Sequence, residues 1–278
     1  MKVFYQYKEL NVAKNKYPAK SIGLVPTMGA LHEGHITLVK RAVEENDLVL
    51  VSIFVNPTQF DNKNDLKNYP KTLESDLTKL QTLGGNVWVY APEADDLYNN
   101  KIEPKVYNFG KLETTMEGAH REGHFQGVAT VVQKLFEALQ PTVAYFGEKD
   151  YQQLQIITAL VRQENIPVVI VSCPIIRHED GLAMSSRNKR LNIKERAMAP
   201  VIYETLQKAV ALKNIHSPQQ IESWITEFFA LQPEFDLEYF SIADIQTLEK
   251  VSALNGSKTR AFIAIKLGGV RLIDNIKF

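Results

Sequence analysis

The chain has 278 residues, of which 45% are hydrophobic and 23% are charged. This length and composition allow one large domain or two with a sizeable buried core, and they exclude a disordered chain. The 32 Lys and Arg residues equal the 32 Asp and Glu residues in number, which excludes a global positive field for nucleic acid or for an anionic membrane surface.

Cysteine use and the N-terminal segment indicate a reducing compartment. The single cysteine, Cys173, excludes an internal disulfide and a cysteine-based zinc site, and we expect a small buried side chain near a strand end. Residues 1–20 lack the apolar stretch of a signal peptide, and apolar runs such as 168–171 are far shorter than the roughly 20 residues that span a bilayer. We therefore expect a cytoplasmic protein that does not insert into membranes.

In chain order, short runs rich in valine and isoleucine alternate with longer segments of helical period. This alternation predicts an α/β fold with a parallel sheet covered by helices. Helices at 33–46 and 151–165 directly follow strands. The predicted strands lie at 22–26, 48–55, 87–90, 143–147 and 168–172.

The turns between these strands and helices are the expected place for chemistry. In open α/β sheets ligands bind beyond the carboxyl ends of the strands, which selects the turns at 27–34 and 147–150. From about residue 177 the pattern changes to a polar loop, helices at 193–212 and 218–231, and strands at 237–244, 260–267 and 269–276. The sequence therefore predicts two domains, residues 1–175 and a smaller α+β domain at 176–278.

The first polar segment, residues 26–35, joins a strand to a helix and carries two histidines. A helix start offers N–H groups and partial positive charge to an anion, and His32 and His35 lie on one face of its first turn. A neutral imidazole can donate to a phosphate and become cationic as negative charge develops, which suits nucleotidyl transfer. A zinc pair and two capping or surface histidines are the alternatives.

Two further segments could also act on phosphates, although the chain contains neither a Walker A loop nor G-x-G-x-x-G. At the second strand-to-helix turn, Lys149 offers a point charge and Asp150 can accept from ribose hydroxyls. The loop at residues 180–188 carries two serines beside an arginine and could close over a triphosphate. A solvated charged turn and a surface loop are the respective alternatives.

Five motifs together resemble one family over essentially the whole chain. They are T-M-G-A-L-H-E-G-H at 27–35, F-V-N-P-T-Q-F at 54–60, G-H-F-Q-G-V-A-T at 123–130, G-E-K-D-Y-Q-Q at 147–153 and D-G-L-A-M-S-S-R-N at 180–188. The first resembles the H-x-G-H signature of the nucleotidylyltransferase superfamily. The set resembles the pantothenate synthetase family, which implies a Rossmann-like, doubly wound parallel sheet and ATP-driven condensation of (R)-pantoate with β-alanine through a pantoyl-adenylate.

The resemblance also implies roles for particular residues. It implies catalytic roles for His35, as proton donor, and for His32, Lys149, Ser185, Ser186 and Arg187. It implies ATP contacts for Met28, Gly29, Ala30, Leu31, His32, Glu33, Gly34, His35, Gly147, Glu148, Lys149, Asp150, Ile176, Met184, Ser185, Ser186 and Arg187. It implies pantoate binding by Asn56, Gln59 and Gln153, β-alanine binding by Gln59, a Mg²⁺ ion linked to Asp76, and a homodimer.

Two other functions stay open on the sequence alone. A different nucleotidylyltransferase would join ATP to a phosphate-bearing acceptor, which calls for a second basic cluster where this chain has glutamines. A nucleotide-sensing or tRNA-interacting protein could keep the nucleotide-binding core without turnover, although the balanced charge argues against tRNA.

Overall fold

The computed structural model describes residues 1–60, 63–84, 86–98, 102–254 and 258–278. The chain divides into two compact units. The first consists of Met1–Phe109, Arg121–Glu148 and Gln153–Pro174, and the second of Gly110–His120, Lys149–Gln152 and Ile175–Phe278. The longest segment of the second unit is Ile175–Phe278, and two short earlier segments join it. Within the described residues, no helix is long and apolar enough to cross a membrane.

The first unit is built on a six-stranded parallel sheet. The five predicted strands are confirmed with small shifts at their ends, and a sixth strand, β1, lies at one edge. With only three residues, β1 is too short to show a periodic pattern. The strands are β1 (Lys2–Phe4), β2 (Ile22–Thr27), β3 (Leu48–Ile53), β4 (Val87–Tyr90), β5 (Val143–Gly147) and β6 (Val169–Cys173).

The strand order indicates where on this sheet a ligand would bind. The order is β1-β4-β3-β2-β5-β6, and every pair is parallel. Successive strands run outwards from β2 on one side and from β5 on the other, so the direction of winding reverses between β2 and β5. Ligands of doubly wound sheets bind at this reversal, outside the carboxyl ends of the strands. The turns that follow Thr27 and Gly147 leave from these ends.

Eight helices are described between residues 7 and 163. Helix α2 confirms the predicted amphipathic pattern, because Ile36, Val39 and Ala42 are buried. Helix α7 was not predicted from the sequence, although Gln126, Gln133 and Glu137 share one polar face and eleven of its sixteen residues are buried. The helices are α1 (Tyr7–Asn15), α2 (Glu33–Glu45), α3 (Lys63–Lys67), α4 (Leu73–Gln81), α5 (Ala94–Tyr98), α6 (Met116–His120), α7 (His124–Leu139) and α8 (Tyr151–Gln163).

The second unit is α+β, as predicted. Its antiparallel sheet has the order β7-β8-β9 and packs its apolar side chains with those of three helices around one core. The helix predicted at 193–212 is two helices, because Pro200 lacks the N–H that a continuous helix would use. The elements are α9 (Ile193–Met198), α10 (Val201–Leu212), α11 (Pro218–Ala230), β7 (Phe235–Asp244), β8 (Thr259–Leu267) and β9 (Val270–Lys277).

Cys173 ends β6 and is 3% exposed, which confirms the prediction of a buried side chain near a strand end. Burial raises the pKa of its thiol, although the Arg41 guanidinium lies 3.7 Å from the sulfur and opposes this shift. A buried thiol with a raised pKa is a poor nucleophile. We therefore assign Cys173 to packing.

Candidate active site

The β2–α2 turn, residues 28–32, begins with a tight reversal of the backbone. Gly29 and Ala30 have φ values of 80° and 50°, in the left-handed region that few residues other than glycine adopt. The Thr27 hydroxyl donates to the Ser52 carbonyl at 2.8 Å and accepts the Gly29 N–H at 3.1 Å. The end of β2 is thereby tied to its neighbour β3, and the turn leaves the sheet in a defined direction.

The centre of the turn is bound to helix α4. The Ala30 N–H donates to Oδ2 of Asp76 at 2.9 Å, and the Leu31 N–H donates to Oδ1 at 2.7 Å. Asp76 is fully buried, and the Thr72 hydroxyl donates to the same carboxylate. Two backbone donors that the sequence offered to a phosphate are therefore directed to the chain's own aspartate.

The predicted magnesium role of Asp76 does not fit this environment. Both of its oxygens accept backbone N–H groups, and the side chain has no exposed surface. A metal ligand would need a lone pair directed at a space open to the ion and to its waters. Over the described ranges, no group of three or more His, Cys, Asp and Glu side chains could hold a metal.

His32 and His35 lie side by side at the amino end of α2. Their ring centroids are 4.0 Å apart, and both residues are partly exposed. His32 is the N-cap, and its backbone N–H donates to Nδ1 of His35 at 3.4 Å. Because Nδ1 accepts, the proton of the neutral His35 ring is on Nε2, which leaves a donor on the far side of the ring. The helix end adds partial positive charge beside both rings.

A second group of polar side chains surrounds the turn after β3. Asn56 is buried and accepts the Tyr98 hydroxyl at 2.7 Å, while its amide N–H group donates to Oε1 of Gln59 at 3.2 Å. Burial raises the pKa of Tyr98, so this hydroxyl stays protonated at neutral pH. Gln59 is 8% exposed, and its amide nitrogen lies 2.9 Å from the sulfur of Met28. The structure thus places Met28, predicted to contact ATP, beside Asn56 and Gln59, which are predicted to bind pantoate.

His124 supports this group, although no role was predicted for it from the sequence. Its Nδ1 lies 2.7 Å from the Gln59 carbonyl, and its Nε2 lies 3.1 Å from the Arg121 guanidinium. Since a guanidinium only donates, Nε2 accepts and Nδ1–H donates to Gln59. The presence of a histidine in the motif at 123–130 could have drawn attention to His124. The motif does not show that its partner is the Gln59 carbonyl.

Gly127 lets α7 reach the same turn. A Cβ at this position would lie 2.2 Å from the Thr58 carbonyl oxygen, closer than any side chain tolerates. The Gly127 carbonyl accepts the Asn56 amide at 3.2 Å. The glycine of the motif is therefore required for the close approach of two backbones, and it places α7 against the predicted pantoate residues.

The turn after β5 continues into the second unit. Lys149 is 17% exposed at its side chain, and its Nζ lies 3.7 Å from the half-exposed Asp150 carboxylate. The Asn275 amide donates to the Lys149 carbonyl at 3.0 Å, which ties the turn to β9. Around Gly147 an added Cβ would meet no atom within 4 Å, so the backbone there is open to approach. Gln153 lies in the first turn of α8 and is partly exposed.

The loop at residues 176–188 is a short hairpin followed by one 3₁₀ turn. The Met184 N–H donates to the Ile176 carbonyl at 3.0 Å, and Arg177 and Ala183 form a bridge between the two arms. The Ser185 hydroxyl caps the 3₁₀ turn by accepting the Arg187 N–H at 3.3 Å. The loop therefore has a defined shape, which groups Met184, Ser185, Ser186 and Arg187 in the second unit.

A buried ion pair holds the base of this loop. Arg177 donates to both oxygens of Asp274 at 2.6 and 2.9 Å, and also to the Gly181 carbonyl at 3.0 Å. Its guanidinium carbon lies 3.6 Å from the centroid of the Tyr203 ring. Burial raises the pKa of Asp274, while Arg177 opposes that shift. No signal in the sequence near Asp274 indicated this contact, because the two residues are 97 positions apart.

Comparison with known proteins identifies the family. A sequence model of the pantoate–β-alanine ligase family matches residues 2–277. Pantothenate synthetase of Christiangramia forsetii is 51% identical over 266 residues, which cover 95% of this chain and 94% of that protein. Pantothenate synthetase of Bacteroides fragilis is 47% identical over 281 residues, covering 100% and 99% of the two chains.

Solved structures agree with the sequence relatives. The crystal structure of pantothenate synthetase from Thermus thermophilus superposes with a TM-score of 0.93 at 41% identity, over 100% of this chain and 99% of that chain. Pantoate–β-alanine ligase from Francisella tularensis, crystallised with β-γ ATP and β-alanine, has a TM-score of 0.84 at 37% identity, with coverage of 100% and 97%. The chain therefore belongs to the pantoate–β-alanine ligase family.

Proposed function

We propose that the chain condenses (R)-pantoate with β-alanine at the expense of ATP, and that it forms pantothenate, AMP and pyrophosphate through a pantoyl-adenylate. The observation that carries the proposal is the adjacent pair His32 and His35 at the amino end of α2, in a chain that matches this ligase family from residue 2 to 277. The F. tularensis relative was crystallised with β-γ ATP and β-alanine, which supports the choice of substrates.

In the first half-reaction a carboxylate oxygen of pantoate attacks the α-phosphorus of ATP, and pyrophosphate leaves. No protein nucleophile is needed, so the chain has to align two substrates and stabilise negative charge. The Nε2–H of His35 and the amino end of α2 are suited to the charge that develops on the phosphoryl oxygens. His32 assists from the same face of the helix. Alignment alone can be worth roughly 7 to 11 kcal/mol.

We propose further ATP contacts from the motifs at 147–150 and 184–187. Lys149, Ser185, Ser186 and Arg187 would stabilise the departing pyrophosphate, and Asp150 would accept from the ribose. The remaining ATP contacts proposed from the motifs are Met28, Gly29, Ala30, Leu31, Glu33, Gly34, Gly147, Glu148, Ile176 and Met184. Because the Ala30 and Leu31 N–H groups donate to Asp76, these two residues would touch the nucleotide through other atoms. Residues 1–175 and 176–278 are proposed as the two functional domains.

Neutral amides are proposed to hold pantoate. Asn56 and Gln59 are bonded to each other and buried, so they present a defined pattern of donors and acceptors. Gln153 completes the pantoate set, and Gln59 also serves β-alanine. Amides bind hydroxyl and carboxylate groups without the positive charge that would weaken a carboxylate nucleophile.

In the second half-reaction the amine of β-alanine attacks the carbonyl carbon of the pantoyl-adenylate. The carbon–nitrogen bond forms, the bond from carbon to the phosphate oxygen breaks, and AMP leaves. The acyl-adenylate hydrolyses in water, so the site has to exclude water until the amine arrives. We propose that pyrophosphate leaves before β-alanine enters.

Magnesium, a dimer and a cytoplasmic location complete the proposal. Mg²⁺ is proposed to arrive with the phosphates of ATP as part of the substrate, since Asp76 does not fit a metal ligand. A homodimer follows from the family resemblance and would appear as twice the chain mass of 31.5 kDa in light scattering. A single-chain mass across a range of concentrations would contradict it.

A product assay tests the proposed function. Purified protein receives MgATP with pantoate, β-alanine, both or neither, and AMP, pyrophosphate and pantothenate are measured. The proposal predicts stoichiometric AMP and pantothenate with both substrates, and at most a single enzyme equivalent of tightly held adenylate with pantoate alone. A dinucleotide-like product formed from a phosphate-bearing acceptor would indicate another nucleotidylyltransferase. ATP binding without AMP release would indicate a binding protein.

A further inference from the structure

The β2–α2 turn forms an anion-binding concavity that the chain fills itself. Two successive residues with positive φ, Gly29 and Ala30, turn neighbouring backbone N–H groups towards one point. Such an arrangement binds phosphates in other nucleotide-binding proteins. Here the point is occupied by the Asp76 carboxylate, at 2.9 Å from the Ala30 nitrogen and 2.7 Å from the Leu31 nitrogen.

Helix α4 binds the turn through more than this one side chain. Lys79, one turn further along α4, donates from Nζ to the Leu31 carbonyl at 2.6 Å. The Thr72 hydroxyl, at the start of α4, donates to the Asp76 carboxylate. The two N–H groups and the carbonyl of the turn are therefore all bonded to a single helix. Contacts to both donors and acceptors leave the turn little freedom to rotate.

The fit around the turn is close. A Cβ added at Gly29 would lie 3.1 Å from Cγ2 of Ile53 and 3.2 Å from Oδ2 of Asp76. The carboxylate is fully buried and 46 positions away from the amide it accepts. A buried carboxylate is stabilised when its oxygens are hydrogen-bonded, and two of the bonds to Asp76 come from the turn.

We propose that Asp76 is a positioning residue for the first half-reaction: its carboxylate holds the β2–α2 turn in the conformation that sets His32 and His35 at the nucleotide. The proposal rests on the proposed function for its catalytic part. Leu31 is bonded to Asp76 and precedes His32 directly, so a change in the turn moves the N-cap of α2 and both rings with it. A displacement of about 1 Å in such a group can lower turnover about 100-fold.

Asp76→Asn is the main test variant, because it keeps the size of the side chain and replaces one acceptor by a donor. The matched control is Glu74→Gln, which removes the same charge from the exposed face of the same helix turn. Turnover is measured separately for adenylate formation and for the reaction of preformed pantoyl-adenylate with β-alanine. Amide hydrogen exchange of residues 28–32 reports the contact itself.

The proposal predicts that Asp76→Asn slows adenylate formation about 10- to 100-fold in kcat and changes the second half-reaction less than about 3-fold. Exchange at residues 28–32 should become faster, while exchange in β3 stays as in the parent. Glu74→Gln should match the parent in every readout. If Asp76→Asn fails to fold, Thr72→Val removes one hydroxyl from the same carboxylate, and it should slow adenylate formation selectively by a smaller factor.

Three results would overturn the proposal. One is a rate of adenylate formation in Asp76→Asn equal to that of the parent. If Asp76→Asn does not fold, the same result in Thr72→Val counts instead. Another is an equal loss in both half-reactions, which a purely structural role predicts. The third is unchanged exchange at residues 28–32. A parent protein that makes no adenylate would instead defeat the proposed function, while the exchange readout would still decide whether Asp76 holds the turn.

Discussion

The β2–α2 turn of the first unit and the 176–188 loop of the second both contain glycine and are both proposed to act on ATP. They are held in different ways. The centre of the turn depends on Asp76, 46 positions away in sequence. The centre of the loop is held by near neighbours, such as Met184 bonded to Ile176 and Asn188 bonded to Ala183 at 3.0 Å. Motifs predicted ATP chemistry for both segments, but only the loop is held mainly by residues close to it in sequence.

The base of the loop is the exception, and it gives the largest expected effect. Arg177→Met should lower the free energy of unfolding by about 3 to 5 kcal/mol, because it leaves the Asp274 carboxylate buried without its cation. Urea denaturation followed by circular dichroism measures this. Lys194→Met is the control, since Lys194 is 76% exposed and its pair with Glu234 spans 3.4 Å. Equal, small changes in both variants would mean that the loop needs no distant support.

The second test concerns His35, which lies in the first turn of α2, directly after the β2–α2 turn. His35→Ala should lower kcat for adenylate formation by about 10² to 10³, a loss of roughly 3 to 4 kcal/mol of transition-state stabilisation, with a modest change in the KM for ATP. Single-turnover release of pyrophosphate measures this step. His216→Ala, at an exposed histidine after α10, should behave as the parent does. Undiminished turnover in His35→Ala would remove the histidine from the mechanism.

The weakest support of the loop gives the smallest effect, and the size of this effect depends on pH. Arg196 lies 2.5 Å from Asp180 and lowers the pKa of that carboxyl. A folded-state pKa below the unfolded value of about 3.9 stabilises the protein above that pH, and the contribution is lost as pH falls through the folded value.

Arg196→Gln should therefore destabilise the protein by at most about 1 kcal/mol at pH 7, since both side chains are about one-third exposed. The difference between parent and variant should disappear as pH falls below about 3.9. Thermal melting at pH 7, 5 and 3 measures this dependence. A difference that grows on acidification would show that the pair does not act through the Asp180 charge.

Local pattern was sufficient for much of the fold. Alternating apolar runs predicted five strands of the parallel sheet, and a segment of helical period predicted α2, in which Ile36, Val39 and Ala42 are buried. The three-residue strand β1 is too short to show a period, and α7 was missed although its polar residues share one face. The pattern also predicted one continuous helix at 193–212, where the structure has α9 and α10 separated at Pro200.

The candidate site was predictable as a set of motifs but not as a set of contacts. Motifs that follow strand ends predicted roles for His32, His35, Lys149 and Gln59, and these roles stay predictions. The partners of these groups come from distant parts of the chain, as His124 does for Gln59. Asp76 is the clearest case, because its motif suggested a metal ligand while its burial against backbone N–H groups gives it a different task.

One isotope experiment tests the central claim, a pantoyl-adenylate intermediate on the path from pantoate to pantothenate, most directly. Pantoate labelled with ¹⁸O at both carboxylate oxygens is turned over with MgATP and β-alanine, and the products are analysed by mass spectrometry. The account predicts one ¹⁸O atom in the phosphate of AMP and one in the amide carbonyl of pantothenate. Unlabelled AMP, or label in pyrophosphate or inorganic phosphate, would contradict it.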